Sequence, residues 1–213
     1  ASKCFSVPNG IPLDIPSPQS IHEAYDIPED RQVIVTAARA NHYKGGFFAL
    51  EVLAKVKAEH GMNNWHYVFM GDGPHREDFI RKARALGIED CVSFPGRVTQ
   101  VTAKFQTASF ALHPSYGEVG YSLSILEYML AGLPVVVSDN PSVCGATDSG
   151  RTGLIYQEHD TKDAAAAIAR LLENVEHTEK MGSLAKQVVR EQYSLSGAHQ
   201  ALREVFSTLG LEA

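Results

Sequence analysis

Two cations stand five residues apart in Arg39-Ala40-Asn41-His42-Tyr43-Lys44, directly before the pair Gly45-Gly46. An arginine guanidinium forks onto phosphate oxygens and a lysine ammonium acts as a compact point charge, so a pair at this spacing suits a diphosphate. The same side chains would also serve as solvated loop residues. Two successive glycines at a helix start cost chain entropy, and they make sense where backbone or a ligand must come close. A second run, His113-Pro114-Ser115-Tyr116-Gly117-Glu118-Val119-Gly120-Tyr121-Ser122-Leu123-Ser124-Ile125-Leu126-Glu127, carries two carboxylates. Gly120, Tyr121 and Ser122 fall at a helix start, where free amides and the helix dipole favour an anion. Glu127 lies inside an otherwise apolar helix. A buried carboxylate needs partners, and either ligand hydroxyls or a protein donor would supply them. Glu118 reads equally as a catalytic or a solvated carboxylate. His113 is either a general base or a strand-end side chain satisfied by backbone. Gly71-Asp72-Gly73-Pro74 reads as a structural turn that opens a helix, because it lacks the full spacing of a glycine-rich phosphate loop.

These groups need a frame, and the chain supplies one from Gln32 onward. Short β-branched or aromatic runs alternate with stretches of helical length, with glycine or proline at the junctions, which predicts βαβ units and a mostly parallel sheet. The strand candidates are Val33 to Thr36, His66 to Met70, Cys91 to Phe94, Phe110 to Leu112, Val135 to Val137 and Leu154 to Tyr156. All are near-continuous apolar runs, the pattern of strands covered on both faces. Phe47, Leu50, Leu53 and Ala54, and then Phe79, Ile80, Ala83 and Leu86, fall at helical spacing and predict crossover helices. Ser124 to Ala131 predicts a shorter helix, stopped by Gly132 and Pro134. Three helical stretches follow: Thr161 to Leu172, Met181 to Val189 and His199 to Leu209. In such sheets ligands bind beyond the carboxyl ends of the strands, where the loops described above fall.

Composition narrows the classes. With 213 residues, one domain with extensions fits better than two at about 150 residues each. Hydrophobic residues at 44% and charged residues at 21% suit a folded, soluble domain. A net charge of -6 argues against a protein that coats nucleic-acid phosphates. No apolar run approaches the roughly 18 residues of a membrane span, and no signal-peptide block is expected in Ala1 to Ser20. Cys4, Cys91 and Cys144 are odd in number and far apart, which excludes a closed disulfide set and makes a reducing compartment the simplest reading. The nine histidines show no metal spacing, and there is no H-E-x-x-H, C-x-x-C or G-x-S-x-G pattern. Pro8, Pro12, Pro16, Pro18 and Pro28 mark the first thirty residues as a linker followed by a short exposed piece.

Taken in order, the motifs resemble the C-terminal, donor-binding domain of retaining glycosyltransferases of the GT-B type, the glycosyl transferases group 1 with a Glu-x7-Glu motif. The resemblance runs from Val7 to about Leu172. Val7-Pro8-Asn9-Gly10-Ile11 is similar to the interdomain Pro-Asn-Gly hinge, Arg39 and Lys44 to the Arg-x4-Lys-Gly pair, and Gly71-Asp72-Gly73-Pro74 to the Gly-x-Gly-Pro turn. Val92, Phe94 and Gly96, Pro114-Ser115, Glu127, Gly132, Pro134-Val135 and Thr152-Gly153-Leu154 complete the series. Three positions depart from it. Val119 stands where the first glutamate is expected, so that Glu118 is one residue early and eight residues separate it from Glu127. Ala38 replaces a frequent glycine, and Gly145 a usual glutamate.

The resemblance implies one half of a GT-B fold: a Rossmann-like parallel sheet of about six strands with helices on both faces and a C-terminal helical extension. It implies Arg39, Lys44 and Glu118 as catalytic groups. It also implies a donor site from Gly71, Gly73, Phe94, Arg97, Val98, Ser115, Gly120, Tyr121, Ser122, Leu123 and Glu127, with Glu127 on the ribose hydroxyls. No metal and no cofactor are expected, the nucleotide-diphosphate sugar, UDP- or GDP-linked, being the substrate. The division expected is 1–30 as hinge and linker and 31–213 as the nucleotide-sugar-binding domain. The N-terminal acceptor domain would be supplied in cis or as a separate subunit, and the helix after Ser194 would cross back to it. The implied acceptor is a glycan, a lipid-linked sugar or a small molecule, and the implied location is the cytoplasm, with the inner membrane face reached through the other domain. Other classes share the architecture: a non-catalytic nucleotide-binding or docking module, a nucleotide-sugar epimerase, or a phosphorylase, which would need a further orthophosphate or cofactor site.

Overall fold

The computed structural model describes residues 5, 7–116 and 122–210. Six strands form one parallel sheet: β1 (Gln32–Ala37), β2 (Trp65–Met70), β3 (Val92–Gly96), β4 (Phe110–His113), β5 (Val135–Ser138) and β6 (Gly153–Tyr156). Their spatial order is β3-β2-β1-β4-β5-β6. The chain winds outward from β1 through β3, then returns to lay β4 on the other side of β1. The sheet therefore has its topological switch point between β1 and β4, where the loops leaving the two strands diverge and open a crevice.

The helices are α1 (Ile21–Tyr25), α2 (Gly46–Glu59), α3 (Arg76–Ala85), α4 (Val101–Phe105), α5 (Leu123–Ala131), α6 (Pro141–Cys144), α7 (Thr161–Glu173), α8 (Val175–Gln192) and α9 (Leu195–Thr208). Successive strand residues point to opposite faces, so every strand but β3 feeds two cores. Ile34, Tyr67, Phe69, Leu112, Val136 and Leu154 pack with α2, α3 and α7 on one face. Val33, Val35, Val68, Ala111, Val135 and Val137 pack on the other, against α5 and α8. This is why the strands read as continuous apolar runs. All six predicted strands are present, most extended by a residue or two. The predicted helices are present too, with local caps: Asp160 accepts from the Lys162 and Asp163 amides at the start of α7, and Gly132 at φ 95° closes α5.

The N-terminal segment departs from expectation. Instead of ending in an exposed piece, it lies along the domain, with Ile11, Ile21 and Ile27 all buried. Ser20 caps α1 by accepting from the Glu23 amide, and the Ile21 amide donates to Thr107 Oγ1 at 3.0 Å. Ile11 pairs with the corner between α8 and α9, donating to the Tyr193 carbonyl at 2.9 Å and accepting from the Leu195 amide at 3.2 Å. A Cβ on Gly10 would stand 2.5 Å from the Ser194 carbonyl oxygen, so only glycine allows that approach. The prolines exclude a long helix there but not burial. Cys91 and Cys144 are free thiols, and Cys4 lies outside the described residues. Among the described residues no helix is long and apolar enough to cross a membrane.

Candidate functional site

The loops leaving β1 and β2 run in contact. The Ala38 amide donates to the Met70 carbonyl at 3.2 Å, and the Ala40 amide to the Asp72 carbonyl at 3.0 Å. A Cβ on Gly71 would fall 1.7 Å from the Ala38 carbonyl oxygen, so the glycine of Gly71-Asp72-Gly73-Pro74 is needed by the neighbouring backbone. Gly73 is similarly close to Ala40. A cleft of about 370 Å³ opens beyond these strand ends, lined by Ala37, Ala38, Arg39, Met70, Gly71, Asp72, Arg97 and Val98. Its floor is largely apolar and its charged groups are two guanidiniums and one carboxylate. Arg39 and Arg97 are exposed, and neither has an ion pair or hydrogen bond among the described residues. Phe94 sits behind the cleft: its ring centroid is 6.4 Å from that of Phe69, and its carbonyl accepts from the Arg76 guanidinium. Other hollows of about 440 and 350 Å³ lie elsewhere, one at the amino ends of β1 and β4 and one near the amino end of β6. Neither touches the strand-end loops where the candidate cations gather.

Beyond Arg39 the chain makes a 3₁₀ turn, His42–Lys44, which ends at Gly45 with φ 71°. That left-handed backbone favours glycine, and a Cβ on Gly45 would stand 2.0 Å from the Pro114 carbonyl oxygen. Gly46 has no room either, since the Phe79 ring fills the space its Cβ would take. The successive glycines therefore let the Lys44 turn press against the loop leaving β4. Ser115 is buried and its Oγ donates to the Tyr43 carbonyl at 3.3 Å. The Tyr116 amide donates to the same carbonyl at 3.2 Å. Ser115 thus holds the Lys44 turn and does not line the cleft. The Lys44 ammonium lies 5.6 Å from the centre of the Tyr43 ring.

Across the switch point, α5 begins at Ser122, which gives the helix no side-chain cap. Leu123 is 51% exposed, unusual for leucine and in keeping with an open helix start. Tyr128 anchors α5 to β1, its hydroxyl accepting from the Ala37 amide. Glu127 beside it is half-buried, and no hydrogen bond or ion pair holds its carboxylate among the described residues. Burial pushes its carboxyl above the usual range. His113 is buried at the end of β4, edge-on to the Tyr128 ring, and is not part of the cleft lining. Glu118, Gly120 and Tyr121 lie outside the described residues. No group of three or more His, Cys, Asp or Glu side chains is arranged to hold a metal ion among the described residues.

The structure therefore gathers Arg39, Arg97, Gly71 and Val98 in one cleft, and fixes the Lys44 turn to the exit of β4. Sequence reasoning missed the partnership of His42 and Tyr116, whose side chains meet at 2.8 Å. No local signal shows it, because the two lie 74 residues apart.

A doubly wound parallel sheet with cations at its switch point defines a class of α/β domain whose ligands bind beyond the carboxyl ends of the strands. The chain matches the family of glycosyl transferases group 1 over residues 18–188, and it belongs to that family. It is 28% identical over 194 residues to an alpha-D-kanosaminyltransferase from Streptomyces kanamyceticus, covering 90% of this chain and 49% of that protein. It is 34% identical over 137 residues to a D-inositol 3-phosphate glycosyltransferase from Nocardia farcinica, covering 62% of this chain and 29% of that one. In fold it is similar to Anabaena Alr3699/HepE in complex with UDP-glucose, at a TM-score of 0.82 and 20% identity over 95% of this chain and 57% of that one. The sheet and its helices are thus one Rossmann-like half of a GT-B architecture. The chain spans 49% and 45% of the lengths of two relatives that it matches over most of its own length.

Proposed function

We propose that this chain is the donor-binding half of a retaining glycosyltransferase that moves a hexose from a nucleotide-diphosphate sugar to a glycan, lipid-linked or small-molecule acceptor. The observation that carries this reading is the packing of the Arg39–Lys44 loop onto the β4 exit, through Gly45, Ser115 and Tyr116. It sets the Lys44 turn against the exit of β4, with Arg39 in the cleft at the other end of the same loop. The cleft lined by Gly71, Arg97 and Val98 takes the base, UDP and GDP being the candidates, and Glu127 takes the ribose hydroxyls. Its lack of a protein partner among the described residues fits that assignment. Arg39, Lys44 and the α5 amides neutralise the departing diphosphate as the sugar becomes oxocarbenium-like, without a metal ion. Glu118 serves the transferred sugar despite its displacement. The acceptor is held by an N-terminal half of the kind that the longer relatives have room for, and α9 packs against it. That half also brings the site to the inner face of the cytoplasmic membrane.

Calorimetric titration with UDP, GDP and ADP tests the reading. One nucleotide is expected to bind, and Lys44→Ala to weaken it by about 1.5 to 3 kcal/mol, the worth of a charge-assisted contact. Unchanged affinity in a folded Lys44→Ala chain, or no binding by the parent, overturns it. The displacement of Glu118 favours a second reading, a nucleotide-binding module that transfers nothing by itself. Sugar transfer on supplying an N-terminal half would refute that module.

A further inference from the structure

The side chain of Tyr116 stands where three strand-end loops meet. Its hydroxyl lies 2.7 Å from the His42 carbonyl oxygen and 2.8 Å from His42 Nδ1. Its ring is edge-on to His42, with centroids 6.2 Å apart, and 5.4 Å from the ring of His159 in the loop after β6. His42 in turn touches Phe47 at the start of α2 and His75 in the loop after β2, at 5.9 and 6.3 Å between centroids. A phenol has one proton. Given to the His42 carbonyl, it leaves the phenol oxygen to accept from Nδ1, so the two bonds together select the Nδ1–H tautomer and fix the ring plane.

His42 also carries the turn that presents Lys44. The Gly45 amide donates to the His42 carbonyl at 3.2 Å, so Tyr116 and Gly45 share that one oxygen. Immediately beyond Tyr116 the chain runs on toward the start of α5. We infer that Tyr116 is a positioning residue of the donor site. Acting through His42, it holds the Lys44 turn at a fixed distance from the exit of β4, so that the cation and the helix start bear on one diphosphate. The inference rests on the donor-binding reading above and adds a residue that touches neither nucleotide nor sugar. A purely structural role fits poorly, because His42 is exposed and Tyr116 only half-buried, and bonds between such groups add little to global stability.

Tyr116→Phe keeps both ring contacts and removes both hydroxyl bonds. The experiment compares it with the parent by urea denaturation, amide exchange at Lys44 and Gly45, histidine ring-nitrogen NMR and titration with UDP, GDP and ADP. The unfolding midpoint is expected to stay in place, while exchange at the two amides rises on the order of tenfold. The His42 ring signals should move from the Nδ1–H form toward a tautomer mixture. Affinity for the bound nucleotide should fall by about three- to tenfold, the share of a neutral hydrogen bond. His42→Ala combined with Tyr116→Phe should lose no more affinity than the weaker single variant, because the two act as one unit. Full nucleotide affinity in Tyr116→Phe, or losses that add in the double variant, would overturn the assignment alone. A parent chain that binds none of the three nucleotides overturns the donor-binding reading and this inference with it.

Discussion

Glu127 is flanked by Leu126 and Tyr128, both fully buried, and its own carboxylate is half-buried without a protein partner among the described residues. Desolvation raises its carboxyl above the ordinary value of 4.5. Between the unfolded and the folded value the native state holds more protons than the unfolded chain, so stability falls as pH rises through that window. Below the window Glu127 is neutral in both states and costs nothing; above it the full cost of the buried charge is present. Glu127→Gln should therefore resist urea better than the parent at about pH 7, and the two should converge at about pH 4. The same substitution should weaken nucleotide binding by about 1.5 to 3 kcal/mol, because it removes a charged acceptor for ribose hydroxyls. Urea midpoints at both pH values, with calorimetry at the higher one, check the pair of effects. A destabilised Gln variant at neutral pH would show that the carboxylate has a protein partner after all. Arg39, Lys44 and Glu127 were legible as residue types in strand-end positions. Tyr116 and His42 were not, since a pair that meets only through the winding of the sheet leaves no spacing to read.

At the scale of elements, the six strands were legible because both faces of the sheet are covered, which forces unbroken apolar runs such as Val33-Ile34-Val35. The short helices α1, α4 and α6 were not, having five, five and four residues, too few for a helical period to show. The Pro-rich start misled for a related reason: prolines exclude regular hydrogen bonding, but Ile21 and Ile27 reach the core from isolated positions. Ile21 is fully buried in the cluster that also holds Phe105 and Ile125. Ile21→Ala should therefore cost about 2 to 5 kcal/mol, as for any large-to-small change in a packed core. Glu29→Ala, at an exposed position of the same segment, should stay within about 0.5 kcal/mol. Urea denaturation of the two variants decides it. A small loss at Ile21 would mean that the segment is a linker in energy as well as in sequence, and that the sheet is complete without it.

At the scale of the whole molecule, stability is distributed unevenly along the chain. β1 is paired on both sides and covered on both faces, with Val33, Ile34, Val35 and Thr36 fully buried. By contrast, α9 has no buried residue, and Leu195, Leu202 and Leu209 are 43%, 40% and 42% exposed along it. Its chief tether is the corner where Ser194 and Leu195 meet Gly10 and Ile11. A helix of 14 residues with no buried side chain gains little from packing, and isolated helices of that length are marginal in water. Amides of α9 beyond its first turn should exchange through local opening, orders of magnitude faster than those of β1, whose exchange requires global unfolding. Leu202→Glu should accordingly leave the urea midpoint of this chain within about 0.5 kcal/mol of the parent. The same substitution should weaken association with an N-terminal half supplied in trans, because the apolar row that includes Leu202 is the surface α9 has to offer. Hydrogen exchange read by NMR separates the two regimes directly. Protection in α9 equal to that in β1 would mean that the helix is part of the cooperative unit, and that its exposed leucines need no partner to hold it in place.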